Sequence, residues 1–365
     1  MAAAQFKTNN FDLIRLLAAA QVAIHHTSSH LQVNMESTFF WLTGFFPGVP
    51  MFFFISGFLI SRSFEANPNP PEYALNRILR IFPALWVCLG ASVVAVVATG
   101  YLARQNIDLM EFLIWVLAQM TFVQFFNPDF LREFGVGVIN GSLWTISVEL
   151  QFYVIVPVLY WVLSKLTRQV SQANKLIILL IMIFLGVNQG YVFLSQTYSE
   201  HILHKLVGVS FAPWFYMFLI GILAQRSFES LHRHLSGRFL LLFCGYLLVA
   251  ILASRMQIRF GNTINPAMFI MLCALIVSLA YSAPSLATRI LNRNDLSYGI
   301  YIYHMPVVNV MLFLGFEERM TDYLMGLGIT IVLAGLSWFL VEKPAITLKR
   351  HPLYPVVTQR ASGPD

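Results

Sequence analysis

Long apolar stretches separated by short polar segments recur along the whole chain. Each stretch is close to the roughly 20 apolar residues that a helix needs to cross a bilayer. The pattern predicts an all-α, polytopic membrane helix bundle of about ten transmembrane helices. The predicted spans are 11–29, 45–62, 78–99, 142–164, 175–195, 211–226, 238–254, 264–281, 297–314 and 324–341.

One further apolar stretch, residues 110–126, is interpreted as a re-entrant or surface helix rather than a crossing. Counting it as a span would place Lys165 and Arg168 on the same side as the acidic loop around Glu317. Without it, both termini are predicted to be cytoplasmic. Since no repeat or soluble domain is apparent, we predict one membrane-embedded domain, residues 1–345, and a cytoplasmic tail, residues 346–365.

The distribution of lysine and arginine sets the predicted orientation. With the N-terminus inside, sixteen of the 23 basic residues lie on the inner side and six on the outer side, while Arg15 lies within the first span. Cytoplasmic loops carry such an excess of basic residues, so this orientation is favoured over its inverse.

Composition agrees with a membrane protein. Hydrophobic residues make up 58% of the chain and charged residues 11%, with a mean hydropathy of +0.69, whereas soluble domains contain about 25% charged residues. We therefore attribute the net charge of +6 mainly to the basic residues of the predicted cytoplasmic loops. We expect membrane lipid as a partner and no nucleic acid.

The first span carries ionisable residues that are costly in hydrocarbon. Arg15 and His26 are eleven positions apart, which is three helical turns with about 20° left over, so they share one face roughly 16 Å apart. His25 lies about 80° off that face. The alignment favours function. The alternatives are a simple ion pair between Arg15 and Asp12 at the helix end, and histidines that are ordinary interior groups.

Two motifs in the next spans add polar groups. Ser56 and Gly57 interrupt an apolar run and allow close approach of a ligand or, alternatively, plain helix packing. Arg77 and Arg80 share one helix face at the predicted cytoplasmic mouth. Two guanidiniums suit a phosphate-bearing ligand such as a coenzyme. The alternative is ordinary positive-inside flanking or lipid headgroup contact.

Later spans contribute a carboxylate and a polar stripe. Glu149 lies about two turns inside the predicted fourth span, where it could orient a histidine, act as a base or serve as a structural partner. Ser297, Tyr301 and His304 follow at i, i+4 and i+7, so they lie on one side of the ninth span. The three cysteines have no disulfide or zinc-ligand spacing, and we expect no metal.

These pieces, in this order, resemble the acyltransferase 3 family of bacterial integral-membrane O-acyltransferases over nearly the whole chain. The matching pieces are Arg15 with ten residues before His26, and residues 53–59, 77–83, 143–153, 297–304 and 342–344. The resemblance implies that Arg15 and His26 are functional and that Arg77 and Arg80 contact the coenzyme. Many members have a second glutamate where this chain has Leu150, so no carboxylate at this position can play a role here.

The resemblance implies a multi-pass O-acetyltransferase of the bacterial inner membrane. It would move an acetyl group from acetyl-CoA to a hydroxyl of an envelope glycan. We assign His26 as general base, with Glu149 or His304 orienting it or relaying the proton. Arg15, Arg77 and Arg80 would hold the coenzyme, and Ser56, Ser297 and Tyr301 would shape the tunnel.

Two other function classes remain open at this point. A transporter or flippase for a lipid-linked glycan would use the same intramembrane residues as a proton relay or substrate path. A membrane protein that senses acyl-CoA without turnover would bind coenzyme and not consume it. The sequence does not indicate an oligomeric state.

Overall fold

The structure is a computed structural model that describes residues 9–33 and 37–348. Within these ranges the regular structure is helical and contains no strand, which confirms the predicted fold class. The α-helices, in chain order, are α1 Phe11–His30, α2 Thr38–Thr43, α3 Gly48–Ala66, α4 Pro70–Ala98, α5 Leu109–Met120, α6 Trp144–Leu166, α7 Val170–Tyr198, α8 Ile202–Gly208, α9 Phe215–Arg226, α10 Phe228–Leu235, α11 Phe239–Arg255, α12 Pro266–Ser282, α13 Leu286–Leu291, α14 Ser297–Phe313, α15 Met320–Ser337 and α16 Lys343–Thr347.

Short irregular turns complete the regular structure. A π-helical turn, Trp338–Glu342, joins α15 to α16. Single 3₁₀ turns cover Leu102–Arg104, Asp129–Leu131, Gly141–Leu143 and Gly261–Thr263.

Local side-chain chemistry explains where several helices begin. Asn69 caps α4 by accepting a hydrogen bond from the backbone N–H of Glu72 at 3.4 Å, and proline occupies the first helical position. Asp108 caps α5 in the same way at 2.9 Å. Such caps satisfy backbone donors that have no partner within the first turn. The polar segments between apolar stretches therefore set the boundaries of the helices.

Each of the ten predicted spans corresponds to a helix, but length and composition support fewer crossings. Five helical stretches in the described part of the chain are long and apolar enough to cross a membrane, and a sixth arises if bent α10 and α11 count as one span. The count of ten and the cytoplasmic termini stay predictions. The predicted tail lies outside the described residues from position 349 onward.

The stretch excluded from the predicted spans forms α5, which has 12 residues. At 1.5 Å per residue this helix is about 18 Å long, well short of the roughly 30 Å of a hydrocarbon core. Two other apolar helices, α9 and α12, are also short, at 12 and 17 residues.

Helices α1, α3, α9 and α14 form the centre of the bundle. The backbones of α3 and α9 approach closely because a Cβ on Gly57 would clash with the carbonyl oxygen of Phe218. A Cβ on Gly221 of α9 would likewise clash with the carbonyl oxygen of Phe54 on α3. Gly57 therefore provides the close helix packing that small residues permit in membrane bundles. Helix α14 is buried along nearly its whole length, so its polar residues face protein.

Candidate active site

A cavity of about 390 Å³ lies between α1, α3, α4, α6 and α14. Its walls combine charged side chains with aromatic rings, including those of Phe52, Tyr153 and Trp338. Seven of the nine predicted site residues line it, namely Arg15, Ser56, Arg77, Arg80, Glu149, Ser297 and Tyr301. His26 and His304 do not line it. The structure therefore separates the predicted residues into one cavity and one histidine pair.

A buried carboxylate organises the charged end of the cavity. Asp295 lies in the loop before α14. Its Oδ2 forms ion pairs with the guanidinium of Arg80 at 2.5 Å and with that of Arg15 at 3.3 Å. Its other oxygen accepts hydrogen bonds from the hydroxyl of Ser297 at 2.5 Å and from the backbone N–H of Ser297 at 3.1 Å. Burial alone would raise the pKa of Asp295, but the two arginines and these hydrogen bonds outweigh it, so the pKa lies well below its ordinary value.

The two arginines of this network have further carboxylate partners. Arg15 pairs with Asp12 at 2.5 Å, so the ion pair considered from the sequence is present alongside the contact with Asp295. Arg80 lies 3.6 Å from Glu342, which is buried on the π-helical turn. The guanidinium of Arg80 thus lies between two carboxylates and is already paired within the protein.

Arg77 differs from Arg80 although both line the cavity. Its guanidinium carbon lies 5.9 Å from the ring centre of Tyr73 and 5.7 Å from that of Tyr153. It forms no ion pair with any described residue, and its Nε is buried without a hydrogen-bond partner. Arg77 is therefore better placed than Arg80 to receive an external anion.

Glu149 lies in the cavity wall and bonds to neutral hydroxyl groups. One of its oxygens accepts hydrogen bonds from Ser56 at 2.8 Å and from Tyr153 at 2.5 Å. The sequence predicts that Glu149 or His304 orients His26. Of the two, it is His304 that contacts His26.

The histidine pair joins α1 to α14. His26 Nδ1 lies 3.0 Å from His304 Nε2. His304 is fully buried, and its Nδ1 lies 3.2 Å from the carbonyl oxygen of Ile300. Arg15 and His26 thus both contact the segment 295–304, as expected for two side chains on one face of α1. His25 turns toward α2, where its Nε2 lies 2.9 Å from the hydroxyl of Thr43.

This geometry assigns the hydrogens of the two neutral rings. A carbonyl oxygen only accepts, so His304 Nδ1 donates to Ile300. The Nε2 of His304 then carries a lone pair and accepts a hydrogen bond from Nδ1 of His26. The remaining nitrogen, Nε2 of His26, is left with a lone pair. An imidazole held in this tautomer is equipped to act as a base.

Several residues of the site were missed from the sequence. Asp295 and Arg293 line the cavity, and Glu342 contacts Arg80, whereas the sequence indicates Glu342 only within the motif 342–344. The position of Asp295 in the sequence indicates a role at the start of α14, since a carboxylate just before a helix often accepts hydrogen bonds from the first backbone N–H groups. Nothing in the spacing alone connected it with arginines on two distant helices.

Comparison with known proteins gives a consistent family assignment. A family model described as an acyltransferase domain matches residues 8–340. The Nodulation protein 10 of Rhizobium leguminosarum bv. viciae is 30% identical over 93% of this chain and 94% of its own length. The O-acetyl transferase of Shigella phage Sf6 is 27% identical over 93% of this chain and 97% of its own length.

A third relative is longer. The peptidoglycan O-acetyltransferase OatA of Listeria monocytogenes serovar 1/2a is 22% identical over 92% of this chain, which spans 55% of that protein. No solved structure matches the chain significantly.

Proposed function

The chain belongs to the family of acyltransferase domains that its residues 8–340 match, and from this premise we propose that it is an O-acetyltransferase of the bacterial inner membrane. The donor is cytoplasmic acetyl-CoA. The acceptor is a hydroxyl of an envelope or surface polysaccharide, such as the O-antigen of lipopolysaccharide, a capsule, an exopolysaccharide or a lipid-linked precursor. Relatives named as O-acetyltransferases support the reaction type.

The observation that carries the proposal is an arginine-lined cavity close to a histidine with a free lone pair. Arg77 and the exposed Arg293 would contact the phosphates of acetyl-CoA, because guanidinium groups bind phosphate strongly and directionally. Arg15 and Arg80 would shape this end of the cavity through Asp295, with Ser297 completing the network. Ser56 and Glu149 also line the cavity.

The proposed chemistry is a direct transfer. His26 Nε2 takes the proton of the acceptor hydroxyl while that oxygen attacks the carbonyl carbon of the thioester. The new carbon–oxygen bond forms, the carbon–sulfur bond breaks, and the thiolate of coenzyme A takes up the proton from His26. His304 keeps Nδ1 of His26 protonated throughout, so the reactive nitrogen remains the one that faces away from it.

The family assignment favours this enzyme over the transporter and the acyl-CoA sensor considered from the sequence. A direct assay separates all three. Protein purified in detergent is given acetyl-CoA labelled in the acetyl group, together with glycan extracted from cells that lack the gene. Labelled glycan is expected. Binding of acetyl-CoA without label transfer would support a sensor. Absence of both binding and transfer would leave the flippase, since protein in detergent has no membrane across which it could move glycan.

Two adjacent histidines provide the matched variants for this assay. His26→Ala is expected to lower transfer by about 10²–10⁴-fold, the usual effect of removing a general base. His25→Ala loses contacts with Thr43 and Phe40 on α2, and none with His304, so it should retain a substantial fraction of activity. Equal membrane insertion of both variants is the control. An essential His25 and a dispensable His26 would contradict the proposed base.

A further inference from the structure

Two aromatic side chains stand where the cavity approaches the histidine pair. Phe52 on α3 and Tyr301 on α14 both line the cavity, and their rings pack edge to face with centroids 5.6 Å apart. We refer to Phe52 and Tyr301 as the aromatic constriction. Tyr301 is 5% exposed and Phe52 is partly buried.

Hydrogen bonds hold one side of the aromatic constriction in place. The hydroxyl of Tyr301 lies 2.6 Å from that of Thr145 and 3.4 Å from the carbonyl oxygen of Ser142. Both partners belong to the start of α6 and the turn before it. Because its hydroxyl is hydrogen-bonded, the ring of Tyr301 has little freedom to swing aside, whereas the side chain of Phe52 has no polar group that could anchor it.

The histidine pair lies on the far side of Tyr301. The ring of His304 is 5.8 Å from that of Tyr301, yet His304 is fully buried and does not line the cavity. Ser297, Tyr301 and His304 occupy successive turns of α14, which rises about 10 Å from the first to the last. Along α14, the charged end of the cavity is therefore followed by the aromatic constriction and then by His304, which contacts the proposed base His26.

We propose that the aromatic constriction selects the acyl group by its length, an inference that rests on the proposed function. A thioester held by arginines at the charged end must bring its acyl carbon past Phe52 and Tyr301 to reach an acceptor activated by His26. An acetyl group is the smallest acyl group that carries a carbon chain. Each added methylene would have to displace the ring of Phe52, because Tyr301 is anchored to Thr145.

The expected size of the effect follows from pocket discrimination in other enzymes, where one methylene changes the specificity constant by roughly 10–200-fold. We expect the wild type to prefer acetyl-CoA over propionyl-CoA by at least about 10-fold, with butyryl-CoA used still less. Phe52→Ala removes the ring that is not anchored by a hydrogen bond and should bring the three donors to within about 3-fold of one another.

The experiment uses membrane vesicles that carry the full-length protein and its native glycan acceptor. Acetyl-, propionyl- and butyryl-CoA, each labelled in the acyl group, are supplied separately, and incorporation into glycan is measured. Leu59→Ala is the matched control, since Leu59 lines the same cavity away from the constriction and its truncation also enlarges the cavity. Phe52→Leu is a milder variant, and Phe52→Trp narrows the passage.

The outcomes are distinct. Relaxed donor preference in Phe52→Ala and Phe52→Leu, a sharper preference in Phe52→Trp and an unchanged one in Leu59→Ala would support selection at the constriction. A wild type that transfers acetyl groups while every Phe52 variant keeps its donor preference would overturn the inference and leave the proposed function intact. A wild type that transfers no acyl group from any donor would overturn the proposed function itself.

Discussion

A neutral histidine takes the place at this site that a carboxylate occupies in many catalytic triads. His304 contacts His26 at 3.0 Å and is itself oriented by a backbone carbonyl. A carboxylate there would carry a charge into the buried interior of α14, which is costly. His304 fixes the tautomer of His26, the proposed base, without introducing that charge.

This arrangement predicts how variants of His304 behave. The side-chain oxygen of glutamine accepts a hydrogen bond from Nδ1 of His26, so His304→Gln should retain activity within about 10-fold of wild type. His304→Ala leaves the tautomer unspecified and should lose roughly 10–100-fold, as is usual when a group behind an active residue is removed. The measurement is kcat for acetyl transfer beside the melting temperature.

A control separates positioning from packing. The ring of His30 lies 5.9 Å from that of His26, so His30→Gln tests proximity without the 3.0 Å contact and should stay near wild type. Equal losses in His304→Gln and His304→Ala, with equal melting temperatures, would argue against an orienting role for His304.

At the scale of elements, α14 and the loop before it connect both parts of the site. Asp295 binds arginines from α1 and α4, Tyr301 lines the cavity, and His304 meets α1 again nearer its other end. The i, i+4, i+7 spacing of Ser297, Tyr301 and His304 was readable from the sequence because helical periodicity is local. The pairing of Asp295 with Arg80 was not, since it depends on how distant helices pack.

The different environments of Arg77 and Arg80 predict different phenotypes. Arg77→Ala removes a guanidinium that has no ion pair within the described residues, so it should weaken acetyl-CoA binding by roughly 10–100-fold and leave thermal stability nearly unchanged. The loss should be sensitive to salt, because screening weakens guanidinium–phosphate contacts that are exposed to solvent. Calorimetric titration with acetyl-CoA in detergent gives both results.

Arg80→Ala should instead act on stability. It leaves Asp295 and Glu342 with less positive charge nearby, and breaking a buried ion pair typically costs about 3–5 kcal/mol. The melting temperature should therefore fall. Removing the carboxylate as well, in Arg80→Ala with Asp295→Ala, should recover part of that loss. If Arg80→Ala only weakened coenzyme binding and Arg77→Ala only lowered stability, the assigned roles would be reversed.

For the whole molecule, helix positions were predictable from apolar runs, but the number of crossings was not confirmed. The two helices that carry His26 and His304, α1 and α14, fall outside the set that qualifies by length and apolarity. Their polar side chains lower hydropathy, and α14 is short because it is surrounded by protein and need not match the bilayer alone. Polar residues on helices that are packed inside the bundle thus weaken the hydropathy signal by which membrane spans are recognised.

The ten-span map requires α9 to cross the membrane, although this helix is short. This helix has only 12 residues, about 18 Å, yet the map requires it to separate the outer segment around Thr197 from the inner segment around Ser230. The preceding segment, 209–214, would have to complete the passage through protein rather than lipid. Its buried end, Trp214, donates a hydrogen bond to the carbonyl of Gly208 at 2.8 Å, which is compatible with such a path.

Single cysteines at exposed positions test this map. The background protein lacks the three native cysteines. We expect it to remain active, because the proposed direct transfer uses no thiol of the protein and a buried thiol stays protonated. Ala66→Cys, Ser230→Cys, Thr197→Cys and Glu317→Cys are each treated with a membrane-impermeant maleimide on intact cells. Only the last two should react, and the first two should react after permeabilisation. External labelling at position 66 would invert the orientation, whereas labelling at 230 with protection at 66 would show that α9 does not cross the membrane.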